Sequence, residues 1–252
     1  MILLWGIMAC QGPELPPLRV ATAANVQFAM DSLASSFTRQ TGIPVEIILG
    51  SSGKLTTQIV QGAPFDLFLS ADLSYPTYLY EQKLTFSPPQ TYAQGKLVLW
   101  EPQAKEPIDL ERLLAADLRH IALANPETAP YGHASMQALH FWGWKDSLSD
   151  KLVFGESLGQ TNQFIQSGAA SLGFTAASVV KALPPAKAGH WVPVPEEAYP
   201  PILQGMVGLK NSQQPAQVKQ FLTFMMSEES QAVLRAFGYE TDLSFVSQTS
   251  SP

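Results

Sequence analysis

Charge is scarce in this chain: Asp, Glu, Lys and Arg make up 14% of its 252 residues, against about 25% in an ordinary soluble domain. Uncharged Ser, Thr, Gln and Asn must carry the solubility instead, a pattern that goes with export. The net charge is −6 and no basic run occurs, which excludes nucleic acid or an anionic membrane as the main partner, because both reward clustered Lys and Arg. One cysteine and four scattered histidines offer no spacing for a zinc site. The phosphate-binding P-loop of an ATPase is missing. Past the first residues nothing approaches the roughly 18 apolar residues of a membrane span. What is present is a 46% hydrophobic chain, long enough for two cores and too apolar to be disordered.

The N-terminus, MILLWGIMACQGPELPP, is an apolar run followed by a Pro-rich polar stretch. Ile7-Met8-Ala9-Cys10 resembles a bacterial lipobox, in which the signal is cut before a cysteine that is then lipidated. Residues 1–17 are therefore expected to be a signal or lipoprotein remnant and tether, with Cys10 the acylated residue. The competing reading is an ordinary secretory signal with an incidental cysteine.

Strand and helix patterns then alternate. Short apolar runs at Leu18–Ala21, Val45–Leu49 and Leu67–Leu69 are separated by helical stripes such as Val26, Met30, Leu33 and Phe37. Gly42-Ile43-Pro44 stops that first helix. The alternation resumes from Leu97–Trp100, with a helix expected over Asp109–Ala115 and strands over His120–Ala124, Lys151–Phe154 and Leu172–Thr175. A late strand near Ile202–Leu209 and two terminal helices are left over. Repeated βαβ units imply largely parallel, doubly wound sheets. The expectation is an α/β protein of two such lobes joined by two crossings: residues 18–97 with 203–247, and residues 98–202. A ligand would sit in the cleft between them.

Four strand-to-helix turns share small or hydroxyl residues: Thr22-Ala23-Ala24-Asn25, Gly50-Ser51-Ser52-Gly53, Ala129-Pro130-Tyr131-Gly132 and Ser157-Leu158-Gly159-Gln160. In open parallel sheets, ligands bind beyond the carboxyl ends of strands, where such turns lie. A helix start offers unpaired N–H groups and a partial positive charge, so several aimed at one point would hold an anion without a fixed cation. Any one turn is as readily a plain helix cap, Asn25 and Ser52 included. The residues themselves reach an anion or polar ligand in a cleft, and no further.

Taken together, these turns, the run Gly62-Ala63-Pro64-Phe65-Asp66-Leu67-Phe68-Leu69-Ser70-Ala71-Asp72, and the stretches Asn125-Pro126-Glu127, Gly155-Glu156-Ser157 and Leu172-Gly173-Phe174 resemble the bacterial molybdate-binding protein family, in order over residues 18–240. The resemblance implies a type II periplasmic-binding-protein fold and an extracytoplasmic component of an ABC importer. It would bind molybdate, and tungstate with it, as a tetrahedral oxyanion held by neutral hydrogen bonds. It implies ligands at Asn25 (amide and side chain), Ser52 (amide and hydroxyl), Tyr131 (amide, with or without its phenol) and Leu158 (amide), with Ala24, Gly159 and Gln160 behind them. One branch of the family has Ser in place of Asn25 and a tyrosine near Ala176; this chain has Tyr131 instead. No cofactor is implied, the molybdenum arriving only inside the oxyanion. The implied partners are a membrane permease and a separate ATPase, and the protein is expected to be a periplasmic or lipid-anchored monomer.

Three other readings compete. Sulfate or another small anion fits the same donors, with cavity size left to separate it from molybdate. A serine acyl-transfer enzyme would use Ser51-x-x-Lys54, but the companion S-D-N and K-T-G elements are missing. A ligand-sensing transcription factor needs a helix-turn-helix that the first 17 residues do not contain. Lys54 is expected to be solvated rather than a counter-charge. Glu156 is not expected at the anion, since an unpaired buried carboxylate there is costly.

Overall fold

The computed structural model describes residues 16–243; Cys10 and residues 244–247 of the expected first lobe lie outside the described residues. The chain runs β1 (Leu18–Ala23), α1 (Gln27–Thr41), β2 (Val45–Gly50), α2 (Ser52–Val60), β3 (Leu67–Ser70), α3 (Ser74–Glu81) and β4 (Gln90–Gly95). Next come β5 (Leu97–Glu101), β6 (Ile121–Ala124), α4 (Pro130–Phe141), α5 (Lys145–Leu148), β7 (Leu152–Gly155), α6 (Leu158–Ser167), β8 (Leu172–Ala176), α7 (Ala177–Ala182), α8 (Pro185–Ala188) and β9 (His190–Pro193). It closes with β10 (Ile202–Gly208), α9 (Pro215–Met225) and α10 (Glu228–Ala236). Two α/β lobes result, on five-stranded sheets ordered β2-β1-β3-β10-β4 and β7-β6-β8-β5-β9.

The first sheet is covered on both faces, as its two-residue side-chain period demands. Leu18 and Val20 of β1 face a core with Met30, Leu33 and Phe37 of α1 and Phe221 of α9. Ala21 points the other way, onto Leu55, Ile59 and Leu79 of α2 and α3. Gly42, at φ 72°, ends α1 by donating its N–H to the Thr38 carbonyl, the left-handed cap that glycine accepts without a Cβ penalty. The core of the second lobe centres on Trp100, Leu123, Leu139 and Phe174, and it reaches across to Ala23, Ala24 and Ala71 of the first.

The sheets are mixed rather than largely parallel. In each, two pairings are parallel and two antiparallel: β10 runs against β3 and β4, and β5 against β8 and β9. Those strands lie next to the passages between lobes, where no helical crossover forces parallel pairing. The chain passes over at residues 95–97 and again at 194–201. Lys96 in the first passage bonds Glu196 at 3.0 Å and Glu240 at 3.4 Å. Gln94 and Glu240 exchange backbone hydrogen bonds of 2.7 and 2.9 Å, which ties the C-terminal segment to the same point. β4 and β9 were not evident in the sequence because they are edge strands rich in polar residues or ending in proline. The helix expected over Asp109–Ala115 is a 3-10 turn, Leu110–Leu114, with Asp109 as its cap.

Candidate functional site

The four turns come together between the lobes. The Gly53 N–H at the start of α2 donates to the Thr128 carbonyl just before α4, at 2.9 Å. The start of α6 abuts the other turn of the first lobe: a Cβ on Gly159 would lie 3.7 Å from the Ala24 Cβ. Ala24, Tyr131 and Leu158 are buried in one cluster, and Asn25 and Ser52 are 2% and 1% exposed. Gly159 is half-buried, while Gln160 is exposed and turns its side-chain oxygen back to the Glu156 N–H at 2.6 Å.

Neither Asn25 nor Ser52 caps a helix. Asn25 sits inside a 3-10 turn, Ala24–Val26, whose cap position is Ala23. The cap of α2 is Ser51, whose hydroxyl accepts the Lys54 N–H, and Ser157 does the same for Gln160 on α6. The capping role therefore falls to Ser51 and Ser157. Ser52 Oγ instead accepts the Ala71 N–H at 3.0 Å, which leaves its own proton free to donate. The amides of Ser52, Tyr131, Leu158 and Gly159 lie in the first turns of their helices, where intrahelical acceptors run out.

The Asn25 side chain is bonded within the protein. Its Nδ2 donates to Gln204 Oε1 at 2.7 Å and to the Tyr239 hydroxyl at 2.9 Å. Both amide protons are engaged in these two bonds. The Asn25 carbonyl in turn accepts hydroxyls from Ser178 at 2.7 Å and Tyr239 at 2.9 Å. Two buried atoms here have no protein partner among the described residues: Asn25 Oδ1 and the Tyr131 hydroxyl. The phenol lies against Gly95, in the passage between lobes, where any side chain would collide with it.

Among the described residues no charged side chain is buried in this junction. Among the described residues the buried charged side chains are Asp66 and Glu101, and both are engaged elsewhere, with Ser212 and with Arg112. Burial pushes the phenols of Tyr131 and Tyr92 well up, with neighbouring phenols adding to the effect, and raises Tyr239 mainly through burial. All three stay protonated and neutral at physiological pH. Lys54 sits at the rim, half exposed, paired at 2.5 Å with Glu156 of the other lobe. Its ammonium is thus directed at a carboxylate rather than at Ser51, and Glu156 is exposed. Tyr75 adds a second rim link, its hydroxyl donating to the Glu127 carbonyl at 3.2 Å. A cavity of about 320 Å³ opens beside the junction, lined by Tyr75, Pro130 and His133 among others. A larger apolar groove, about 540 Å³, lies away from the four turns against α9.

Gln204, Tyr239 and Ser178 escaped the sequence reading because they join Asn25 from 179, 214 and 153 residues away. One signal was available: Gln204 is a polar residue inside the apolar run Ile202-Leu203-Gln204-Gly205-Met206-Val207, and a buried amide needs partners.

Residues 18–240 match the model of the bacterial extracellular solute-binding proteins. A molybdate-binding protein of Rhodobacter capsulatus is 38% identical over 223 residues, 88% of this chain and 87% of its own. One from Azotobacter vinelandii is 35% identical over 236 residues, 93% of each chain. The solved structure of the Azotobacter vinelandii periplasmic molybdate-binding protein superposes with a TM-score of 0.83 at 38% identity, covering 88% of this chain and 98% of that one.

Proposed function

Because the chain belongs to the bacterial extracellular solute-binding proteins, a family of carriers and not of enzymes, we propose that it captures molybdate for an ABC importer. It does so outside the cytoplasmic membrane and passes the ion to a membrane permease driven by a separate ATPase subunit. What carries this reading is the junction of four helix or 3-10 starts, two from each lobe, with no charged side chain buried inside it among the described residues. The identity to molybdate-binding relatives supports the choice of ion.

The ligands are the backbone N–H groups of Asn25, Ser52, Tyr131 and Leu158 and the hydroxyl of Ser52, with Ala24 and Gly159 beside them. Gln160 faces outward and is left out of the set. A dianion placed here gains several charge-assisted hydrogen bonds, each worth about 1.5–3 kcal/mol, and the partial charges of converging helix starts. Neutral donors favour a fully ionised tetrahedral dianion, so molybdate, tungstate and sulfate pass and hydrogen phosphate does not. Closing the lobes removes water and strengthens each contact. Tungstate, nearly isosteric with molybdate and of equal charge, binds as well. The protein acts as a monomer at the outer face of the membrane, and acylation at Cys10 would hold it there.

Titration calorimetry with molybdate, tungstate, sulfate and phosphate tests the proposal. Tight binding of the first two, weak binding of sulfate and none of phosphate is the expected order. A sulfate affinity equal to or above that of molybdate would transfer the protein to sulfate uptake.

A further inference from the structure

Gln204 lies on β10 between β3 and β4, fully buried, next to an irregularity in the pairing with β4. Its Nε2 donates to the Ile202 carbonyl at 2.9 Å and to the Ala71 carbonyl at 3.2 Å. Two carbonyl acceptors on one end fix the amide's orientation, because only the NH2 group can serve them. The oxygen must then face the other way, where it accepts Asn25 Nδ2 at 2.7 Å. The Ala71 residue whose carbonyl Gln204 holds is also the one whose N–H orders Ser52 Oγ. A single amide therefore lies between the two anion-facing turns of the first lobe. One arm runs through Ala71 to Ser52, the other directly to Asn25.

The Asn25 arm is reinforced. Tyr239 accepts from Asn25 Nδ2 and donates to the Asn25 carbonyl, closing a ring that needs the phenol in its neutral form. Ser178 of α7, from the second lobe, delivers a hydroxyl to that same carbonyl. Asn25 is thereby held from β10, from the segment after α10, and from across the lobes.

We propose that Gln204, with Tyr239 on its Asn25 arm, is the positioning residue that sets the spacing between the Asn25 and Ser52 donors and so determines affinity for the oxyanion, without touching it. This rests on the function proposed above. A buried amide that only satisfied its own strand would not need to join two ligand turns 27 residues apart in the chain (from Asn25 to Ser52). Misplacing either turn by a fraction of an ångström lengthens several charge-assisted hydrogen bonds at once.

The test is a pair of double-mutant cycles read by molybdate calorimetry on the full chain. Gln204→Met keeps the volume and loses every hydrogen bond, and should weaken binding at least tenfold or so. Adding Ser52→Ala to it should then cost much less than Ser52→Ala alone, since the hydroxyl is already misplaced. Tyr239→Phe, which keeps the ring in the core, should lose about fivefold and show the same coupling to Asn25→Ala. That second cycle stands even if Gln204→Met does not fold. Strictly additive effects, or molybdate affinity unchanged in Tyr239→Phe and Gln204→Met, would overturn the positioning role. If the unmodified protein prefers sulfate, the function proposed above falls, and the same cycles run with sulfate still decide the role of Gln204. Binding of neither anion overturns both.

Discussion

Ser52→Ala separates a ligand donor from a structural acceptor more cleanly than any other change. The Ser52 oxygen accepts the Ala71 N–H at 3.0 Å, and its proton is free to donate. Removing the oxygen has two consequences of different kind. The anion loses one hydrogen bond to a charged group, about 1.5–3 kcal/mol, which is roughly a 10- to 150-fold loss of affinity at 1.4 kcal/mol per factor of ten. The Ala71 N–H, buried with its residue 3% exposed, loses its acceptor at a cost of about 1–3 kcal/mol, and this cost falls on the ligand-free protein. Calorimetric titration with molybdate reads the first effect, and thermal unfolding without ligand reads the second. Both should move. Should the melting temperature fall while the affinity stays within twofold of the parent, the hydroxyl is only a prop for Ala71 and the donor set is wrong.

Three further outcomes follow from the same geometry. Breaking the rim pair by Lys54→Ala or Glu156→Ala should cost molybdate binding less than about 1 kcal/mol, because both side chains are half exposed or more, and the loss should fade in high salt; a loss of several kcal/mol by calorimetry would make Lys54 a true counter-charge. Gly95→Ala drives a methyl group into the Tyr131 hydroxyl and should destabilise the protein by about 1–3 kcal/mol, with Tyr131→Phe in the same chain restoring part of it in urea titrations; an innocuous Gly95→Ala would mean that the phenol does not sit against the passage. The buried phenols of Tyr92, Tyr131 and Tyr239 have pKa values raised above the unfolded value. Their contribution is complete below about pH 10, the unfolded phenol value, and is lost as pH climbs past it. Urea midpoints should thus show no phenol-linked change from pH 7 to 9 and drop beyond pH 10, and a drop centred near pH 8 would contradict the neutral network.

Much of the architecture was legible because it rests on local rules. The apolar stripe of α1 and the stop at Gly42 announce themselves in a dozen residues, and small residues at four helix starts mark where backbones approach closely. The direction of β5 and β10 was not legible, since it depends on how the chain travels between lobes rather than on side-chain period. The site divided in the same way. Asn25 and Ser52 stood out as polar residues at turns, yet their use was hidden. Which amide protons of Asn25 are free depends on Gln204 and Tyr239, more than 170 residues away. Caps were legible as a class but not by residue: Ser51 and Ser157 took that role, and Ser52 was released from it.

Whether uncharged groups of both lobes enclose the dianion is read directly from a crystal of the molybdate complex recorded at the molybdenum absorption edge. The anomalous peak should fall among the amides of Asn25, Ser52, Tyr131 and Leu158, with no Lys or Arg side chain within hydrogen-bond reach of the oxygens. A peak beside Lys54, in the apolar groove against α9, or bound by one lobe alone would contradict the account.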